Sequence, residues 1–523
     1  MAPGVSSKEV PKSIIRQALS MSLGTFSSRI LGLIRDMALA ALFSRTITDA
    51  WTAAFRLPNL FRRLLGEGSL SVSFIPVFVE ARMDSPERAQ NLANGFYTLL
   101  LVSLAVVTAL GIVFADPLLR LLLDSGYGAE KFAITLRMAR VMFGFIFFIT
   151  TYAYFMGILN TLGKFALPAM APTLFNVSMI LSTLIPAEYF PYEGDGLAWG
   201  VLIGGVLQMA VLVPALRRLG ALPRLHWQGM TADIRKVLVN MLPGLLGMGL
   251  LQFVTIVNLK YASGLGEGAI SYIYWADRLL ELPLSLVAVS LGTALLPTLA
   301  GLWNQGQRQQ MSETVNYYLR LNWYIAIPAS FGLYFLARPL VEVLFMRGQF
   351  NSADAEATAT VLRVYAWLLF ATSGVRVLAP AYNAIQKTWF PAVAAGLSLI
   401  LHIILAPVLM KSWGLEGLVI SSFASALLNL LLLLGFYPRL VGGFDFVKLL
   451  QQLFKFVASG MVMAVLLQMH DPLRLILGEG LLVKVLVLAA MVALGAGVYV
   501  WVSFIFKLEE LEALRHLKKS SSE

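Results

Sequence analysis

Apolar stretches of about twenty residues, separated by short polar breaks, recur from one end of this chain to the other. A helix rises about 1.5 Å per residue, so each stretch matches the roughly 30 Å hydrocarbon core of a bilayer. About fourteen such runs are present, centred near residues 30, 62, 103, 145, 178, 206, 248, 286, 325, 370, 400, 427, 459 and 493. The runs near 62 and 286 are the least apolar. The pattern predicts an all-α polytopic membrane protein with about 14 transmembrane helices.

Within this pattern the chain matches itself at an offset of about 222 residues. Asn160, Lys164, Pro168 and Ala169 reappear with identical spacing as Asn383, Lys387, Pro391 and Ala392. Ala115, Pro117 and Leu118 reappear as Ala337, Pro339 and Leu340, with Gly126 answered by Gly348. Pro76, late in the second run, has Pro297 late in the eighth. A unit of six spans is even-numbered, so two copies enter the membrane in the same orientation, the parallel-repeat arrangement of several transporters. The predicted organisation is a six-helix lobe over 1–222, a second over 223–446, and two extra transmembrane helices with a cytoplasmic tail over 447–523.

Composition agrees, since hydrophobic residues make up 58% of the chain and charged residues 13%, with a mean hydropathy of +0.76. The net charge of +11 would suit a nucleic-acid binder, but its distribution marks topology instead. With the N-terminus inside, the predicted inner loops hold about twice the Lys and Arg of the outer ones. Arg217, Arg218, Arg224, Arg235 and Lys236 make the break between the sixth and seventh runs the strongest vote. Both termini are therefore expected in the cytoplasm, and the basic loops could also meet lipid headgroups. No small-residue cleavage site follows the basic N-terminus, so the first run reads as retained. The chain has no cysteine, which excludes disulfides and thiolate metal sites. Leu508, Leu511, Leu514 and Leu517 among the charges of the tail read as a short amphipathic anchor.

The most informative residues are charges inside apolar runs, where each costs about 2.5–3.5 kcal/mol and persists by facing a polar cavity or a partner. Arg29, Arg35 and Asp36 lie in the first run, Arg56, Arg62, Arg63 and Glu67 in the second, and Asp277, Arg278 and Glu281 in the eighth. Helical spacing puts Arg29 and Asp36 on one face, Arg56 and Arg63 on one face, and Arg278 within pairing reach of Glu281. The excess of arginine points to an anion, and its fixed planar fork matches phosphate. Structural ion pairing competes with that reading, most strongly for Arg45, Asp49, Arg63 and Glu67. Asn176, Asn258, Asn429 and Thr255 read as helix-to-helix hydrogen bonders before cation ligands, and His402 as a packing histidine before a proton relay. No P-loop, HExxH, GxSxG or clustered metal-ligand pattern is found, so no catalytic residue, metal or cofactor is expected.

At these residues the chain resembles the MurJ (MviN) family of lipid II flippases, within the superfamily of multidrug exporters and oligosaccharide-lipid flippases. The resemblance is carried by FSSRILGLIRDMALA (26–40), TDAWTAAFRLPNLFRRLLGEGSLSVSFIPVFVE (48–80), GILNTLGKFALPAMAPTLFNVSMI (157–180) and YWADRLLELPLSLVAVSLGTALLPTL (274–299). It implies two lobes around a cationic cavity that opens alternately to each side of the bacterial inner membrane. The implied substrate is undecaprenyl-pyrophosphate carrying a disaccharide-pentapeptide, flipped outward for peptidoglycan synthesis, cell-wall biogenesis and cell shape. Matching positions carry the family's essential charges onto Arg29, Arg35, Asp36, Arg62 and Arg278, with Arg56, Asp277 and Glu281 as further candidates. The resemblance also implies a tail groove on the last two spans, and a monomer that engages membrane lipids but no nucleic acid. Some members bind sodium through an acid on the seventh span, and this chain has none within 240–258. Two alternatives stay open on the residues alone. One is an ion-coupled exporter of another lipid-linked oligosaccharide or small organic molecule, of which a cation-drug exporter should show excess cavity acids. The other is a polytopic enzyme on a polyprenyl phosphate, which should show a catalytic cluster in a large loop.

Overall fold

The computed structural model describes residues 12–64, 70–478 and 480–511, and these residues form helices joined by short turns, with no strand among them. Glu67 and the basic residues and leucines beyond 511 lie outside the described residues. The chain divides into two compact units, Met1–Gln252 and Phe253–Glu523. The first holds α1 (Lys12–Leu42), α2 (Arg45–Phe61), α3 (Leu70–Asp84), α4 (Pro86–Val113), α5 (Ala115–Leu122) and α6 (Ala129–Thr161). It continues through α7 (Ala166–Met170), α8 (Pro172–Leu184), α9 (Asp195–Ala210), α10 (Val213–Arg218) and the start of α11 (Ala232–Ser263). The second takes the end of α11, then α12 (Ala269–Asn304), α13 (Arg308–Phe335), α14 (Ala337–Phe345) and α15 (Ser352–Ala384). It ends with α16 (Trp389–Leu440), α17 (Phe446–Leu467), α18 (His470–Leu477) and α19 (Leu481–Ile505).

The division falls inside α11 because side chains fasten its first turns to unit 1. Arg88 grips Asp233 with two hydrogen bonds of 2.9 and 2.6 Å, and Lys236 Nζ lies 2.6 Å from Glu80. Ile234 packs so close to Gly95 that an added Cβ would meet its Cδ1 at 2.9 Å. The far end of α11 belongs instead to unit 2, where Tyr261 donates to the carbonyl of Ile403.

Eight helices among the described residues are long and apolar enough to cross a membrane, or nine with the bent pair α13–α14. They account for ten of the runs seen in the sequence, because α16 carries two of them. Gly414, at φ 49°, reverses the chain inside that 52-residue stretch. The two limbs then pack so tightly that a Cβ on Gly417 would clash with the Leu409 backbone. The runs near 30, 62, 248 and 286 fall on α1, α2–α3, α11 and α12, which are not among those eight. Fourteen spans are thus not established by this measure.

The two units repeat one another in local detail. Helices α6 and α15 both run 33 residues and stop in the same way. The amide of Lys164 bonds the carbonyl of Leu159 at 2.9 Å, and that of Lys387 bonds Tyr382 at 3.0 Å. This six-to-one closure needs a left-handed residue before the lysine, supplied by Gly163 (φ 71°) and by Gln386 (φ 59°). The short helices α5 and α14 also match, each following a residue of the same twisted conformation, Phe114 and Leu336.

In unit 2 the apolar core joins α13, α15 and α16 to α17 and α19 through Tyr324, Phe331, Tyr382, Phe456 and Tyr499. Arg320 on α13, 6% exposed, reaches the segment after α19, where its Nη1 lies 3.0 Å from Glu509 and 3.3 Å from Glu510. Lys448 closes the clasp onto Glu509 at 3.1 Å.

Candidate functional site

In unit 1 the charged positions of α1 divide by environment. Arg35 and Asp36 are buried at 4% and 0% exposure, whereas Arg29, about two turns earlier on the same face, is exposed. Arg35 donates from Nε and Nη2 to Asp36 Oδ1 at 2.9 and 2.7 Å. From Nη1 it donates to Asn176 Oδ1 at 3.0 Å, and its guanidinium stands 5.8 Å above the Phe175 ring. Asn176 in turn donates to the Ser28 carbonyl at 2.8 Å. Gly32 faces this amide, and a Cβ there would meet it at an ordinary contact distance of 3.7 Å. A charge removed from water needs a partner that also satisfies its hydrogen bonds. The acid on α1 and the amide on α8 meet that need, and they fix the guanidinium plane.

Arg56 on α2, and Arg62 and Arg63 just past its end, are half-buried. Arg62 closes the helix and donates from Nε to Asn59 Oδ1 at 2.9 Å. Pro58 lies inside the helix one turn before it. Asp49 takes the structural role open to it in the sequence: it is fully buried and accepts from Lys131 at 3.2 Å.

In unit 2, Arg278 is half-buried on α12. It pairs with Glu281 at 3.2 Å, as the spacing anticipated, donates to Tyr274 Oη at 3.0 Å and lies 5.0 Å over that ring. Asp277 is half-buried and Glu281 exposed on the same helix. Sequence reasoning missed Arg376 on α15, the helix packed along α12, which lies in the field of Glu281. Its signal was available as an arginine within an apolar run, but no neighbouring acid or motif drew attention to it.

Of the secondary candidates, Asn258 and His402 resolve as hydrogen bonders between helix segments, whereas Asn429 Oδ1 is buried without a hydrogen-bond partner among the described residues. His402 is fully buried, with Nε2 2.9 Å from Asn258 Oδ1 and Nδ1 2.9 Å from Ser421 Oγ. Ser422 donates to the same Asn258 oxygen at 3.2 Å.

A profile of the family described as "Lipid II flippase MurJ" matches residues 38–507 of the chain. The probable lipid II flippase MurJ of Bdellovibrio bacteriovorus is 52% identical, over 97% of this chain and 98% of that protein. The lipid II flippase MurJ of Burkholderia cenocepacia is 34% identical, over 82% of this chain and 84% of that protein. Among solved structures, a lipid II flippase MurJ in an inward closed conformation aligns with a TM-score of 0.75 at 26% identity, covering 93% of this chain and 98% of that one. An inward-facing multidrug transporter of the MATE family aligns at 0.66 and 17% identity over 86% of this chain, a likeness of fold alone.

Proposed function

Because the chain belongs to the MurJ family of lipid II flippases, we propose that its membrane-embedded arginines recognise the diphosphate of lipid II and carry it across by alternating access. The protein is a multi-pass transporter of the inner membrane, not an enzyme, and it moves a peptidoglycan precursor. In this reading Arg29, Arg35 and Arg62 of unit 1 and Arg278 of unit 2 are the anion contacts, with Arg56 and Arg376 adding field. Asp36 holds Arg35 in place between substrates, and Asp277 and Glu281 temper the grip around Arg278. The sugar and peptide travel in water, while the polyprenyl chain stays in lipid along α17 and α19. The protein acts as a monomer with both termini in the cytoplasm, and its two six-helix repeats with two added helices form the moving parts.

The observation that carries this reading is the pair of pre-oriented arginines. Arg35 sits between Asp36 and Asn176, and Arg278 between Tyr274 and Glu281. A diphosphate that replaces the carboxylate partner exchanges one charge-assisted set of bonds for another. Substrate can then bind and leave without stranding a bare charge. The excess of cations over acids at these positions also disfavours a carrier of cationic drugs.

Complementation of a bacterium depleted of its own lipid II flippase tests this. The parent chain should restore growth, and Arg35→Ala and Arg278→Ala should not, at equal membrane levels. Growth with both variants would remove the arginine grip, while failure of a well-expressed parent would point to a different lipid-linked cargo.

A further inference from the structure

The strap between α10 and α11, residues 219–231, is built unlike an ordinary surface loop. Its backbone is pinned to α4 by side chains: the Arg224 amide donates to Asn94 Oδ1 at 2.8 Å and the His226 amide to Thr98 Oγ1 at 2.9 Å. Gln228 adds a bond from Nε2 to Asn91 Oδ1 at 3.3 Å. Pinned this way, the strap turns apolar side chains outward, with Leu225 70%, Trp227 48% and Met230 55% exposed.

Its position on α4 shows what these side chains meet. Thr98 heads an i, i+4 row continued by Val102, Val106 and Leu110, exposed at 59%, 52% and 50%. An exposed apolar row on a spanning helix is a lipid-facing row. Counting about twenty residues back from Val113 sets the hydrocarbon boundary near Asn94, so the strap lies across the rim of the bilayer. Tryptophan and leucine beside arginine is the composition of such a rim.

The exposed charges flanking the strap are mainly basic. Arg217, Arg218, Arg224 and Arg235 are all exposed, and none is in an ion pair among the described residues. Of the acids nearby, Glu80 is taken by Lys236, and Asp84 and Asp233 by Arg88, which leaves the arginines outnumbering the exposed Glu87 on α4. We propose that this strap is a docking site for anionic phospholipid headgroups, in which Leu225 and Trp227 enter the interface and the flanking arginines hold the phosphates. A basic residue at a charged membrane surface favours anionic lipid by about 1 kcal/mol, a factor of about five. The cluster should therefore enrich anionic lipid well above its bulk share.

The absence of cysteine from the chain allows a single-site test. A bimane fluorophore on Leu225→Cys of the full chain, in phosphatidylcholine nanodiscs, is quenched with headgroup-nitroxide phosphatidylglycerol or phosphatidylcholine at equal mole fraction. The expected result is at least a fivefold preference for phosphatidylglycerol. That preference should fall to near one when Arg217, Arg218 and Arg224 are all changed to Gln, and persist when all three are changed to Lys. Equal quenching by the two lipids in the parent would overturn the anionic preference. Quenching by neither would place the strap in water or under a protein partner and overturn the docking itself.

Discussion

Arg35 is held by Asp36 and Asn176 as a structural element, and under the proposed function the same guanidinium takes a second role as an anion contact. Its charge at membrane depth was legible in the sequence, and so was a bond to Asp36. The role of Asn176 was visible only as a polar group in an apolar run, because its meeting with Arg35 depends on how α1 crosses α8. Arg29 defeats the simple facial argument: it shares a helix face with Asp36 but not its burial. Replacing Asn176 by Ala removes a hydrogen bond to a charged group, worth about 1.5–3 kcal/mol, and leaves Asp36 in place. Asn176→Ala should therefore lower thermal stability measurably and slow flipping in reconstituted vesicles less than Arg35→Ala does. Equal, complete loss in both at matched stability would mean that Asn176 touches the substrate directly. Arg376→Gln should slow flipping without destabilising the protein, since the side chain is exposed. A fall in melting temperature with unchanged flipping would make it a structural residue.

At the scale of elements, the likeness of the turns after α6 and α15 was readable because such a turn demands particular residues. The asparagine and lysine recur with their spacing, and so does the left-handed residue between them. The copies differ at that residue, Gly163 in one and Gln386 in the other, and a side chain there costs about 1–2 kcal/mol. Gln386→Gly should raise stability by about 1 kcal/mol and Gly163→Ala should lower it by a similar amount, read from thermal melts in detergent. Opposite signs would show that side-chain contacts outweigh backbone strain. The reversal at Gly414 was less legible, because two apolar runs joined by a short polar break look the same whether the break is a loop or a hairpin in direct contact. The clasp on Arg320 was not legible, since α13 and the last residues are far apart in sequence. It carries a pH signature. Burial pushes the Glu510 carboxyl above its usual range, against the pull of Arg320. Partial burial works against Glu509 but is outweighed by the bonds from Lys448 and Arg320, which together hold it below. The Glu510 contribution is present below its unfolded pKa and is lost as pH rises through the elevated folded value. The Glu509 contribution is present above its unfolded pKa and is lost as pH falls through the lowered one. Melting temperature against pH should therefore fall on both sides of the usual carboxylate range, with the loss on rising pH absent in Glu510→Gln and the loss on falling pH absent in Glu509→Gln.

At the scale of the whole molecule, cationic side chains in a membrane protein and an anionic cargo fix how the membrane potential acts. Moving one net negative charge from an inside-negative compartment outward gains about 2.3 kcal/mol per 100 mV, roughly a 50-fold bias at equilibrium. That bias needs no coupled ion. The sequence has no acid over 240–258 to hold sodium on the seventh run, and the polar groups nearby are committed to one another: Asn258 to His402 and Ser422, His402 to Ser421. In proteoliposomes containing this chain, an imposed membrane potential of about 100 mV should therefore shift the steady distribution of lipid II toward the positive side by roughly that factor per net charge moved. Replacing sodium by choline should leave the shift unchanged. A distribution indifferent to potential would mean that the arginines and the lipid cross as a neutral unit, the cavity charge moving with its cargo. A shift that appears only with sodium would instead require a cation site built from groups other than an acid on α11. Collapse of the potential with the ion gradients held constant separates these outcomes, because only direct electrical work on the diphosphate disappears with the voltage itself.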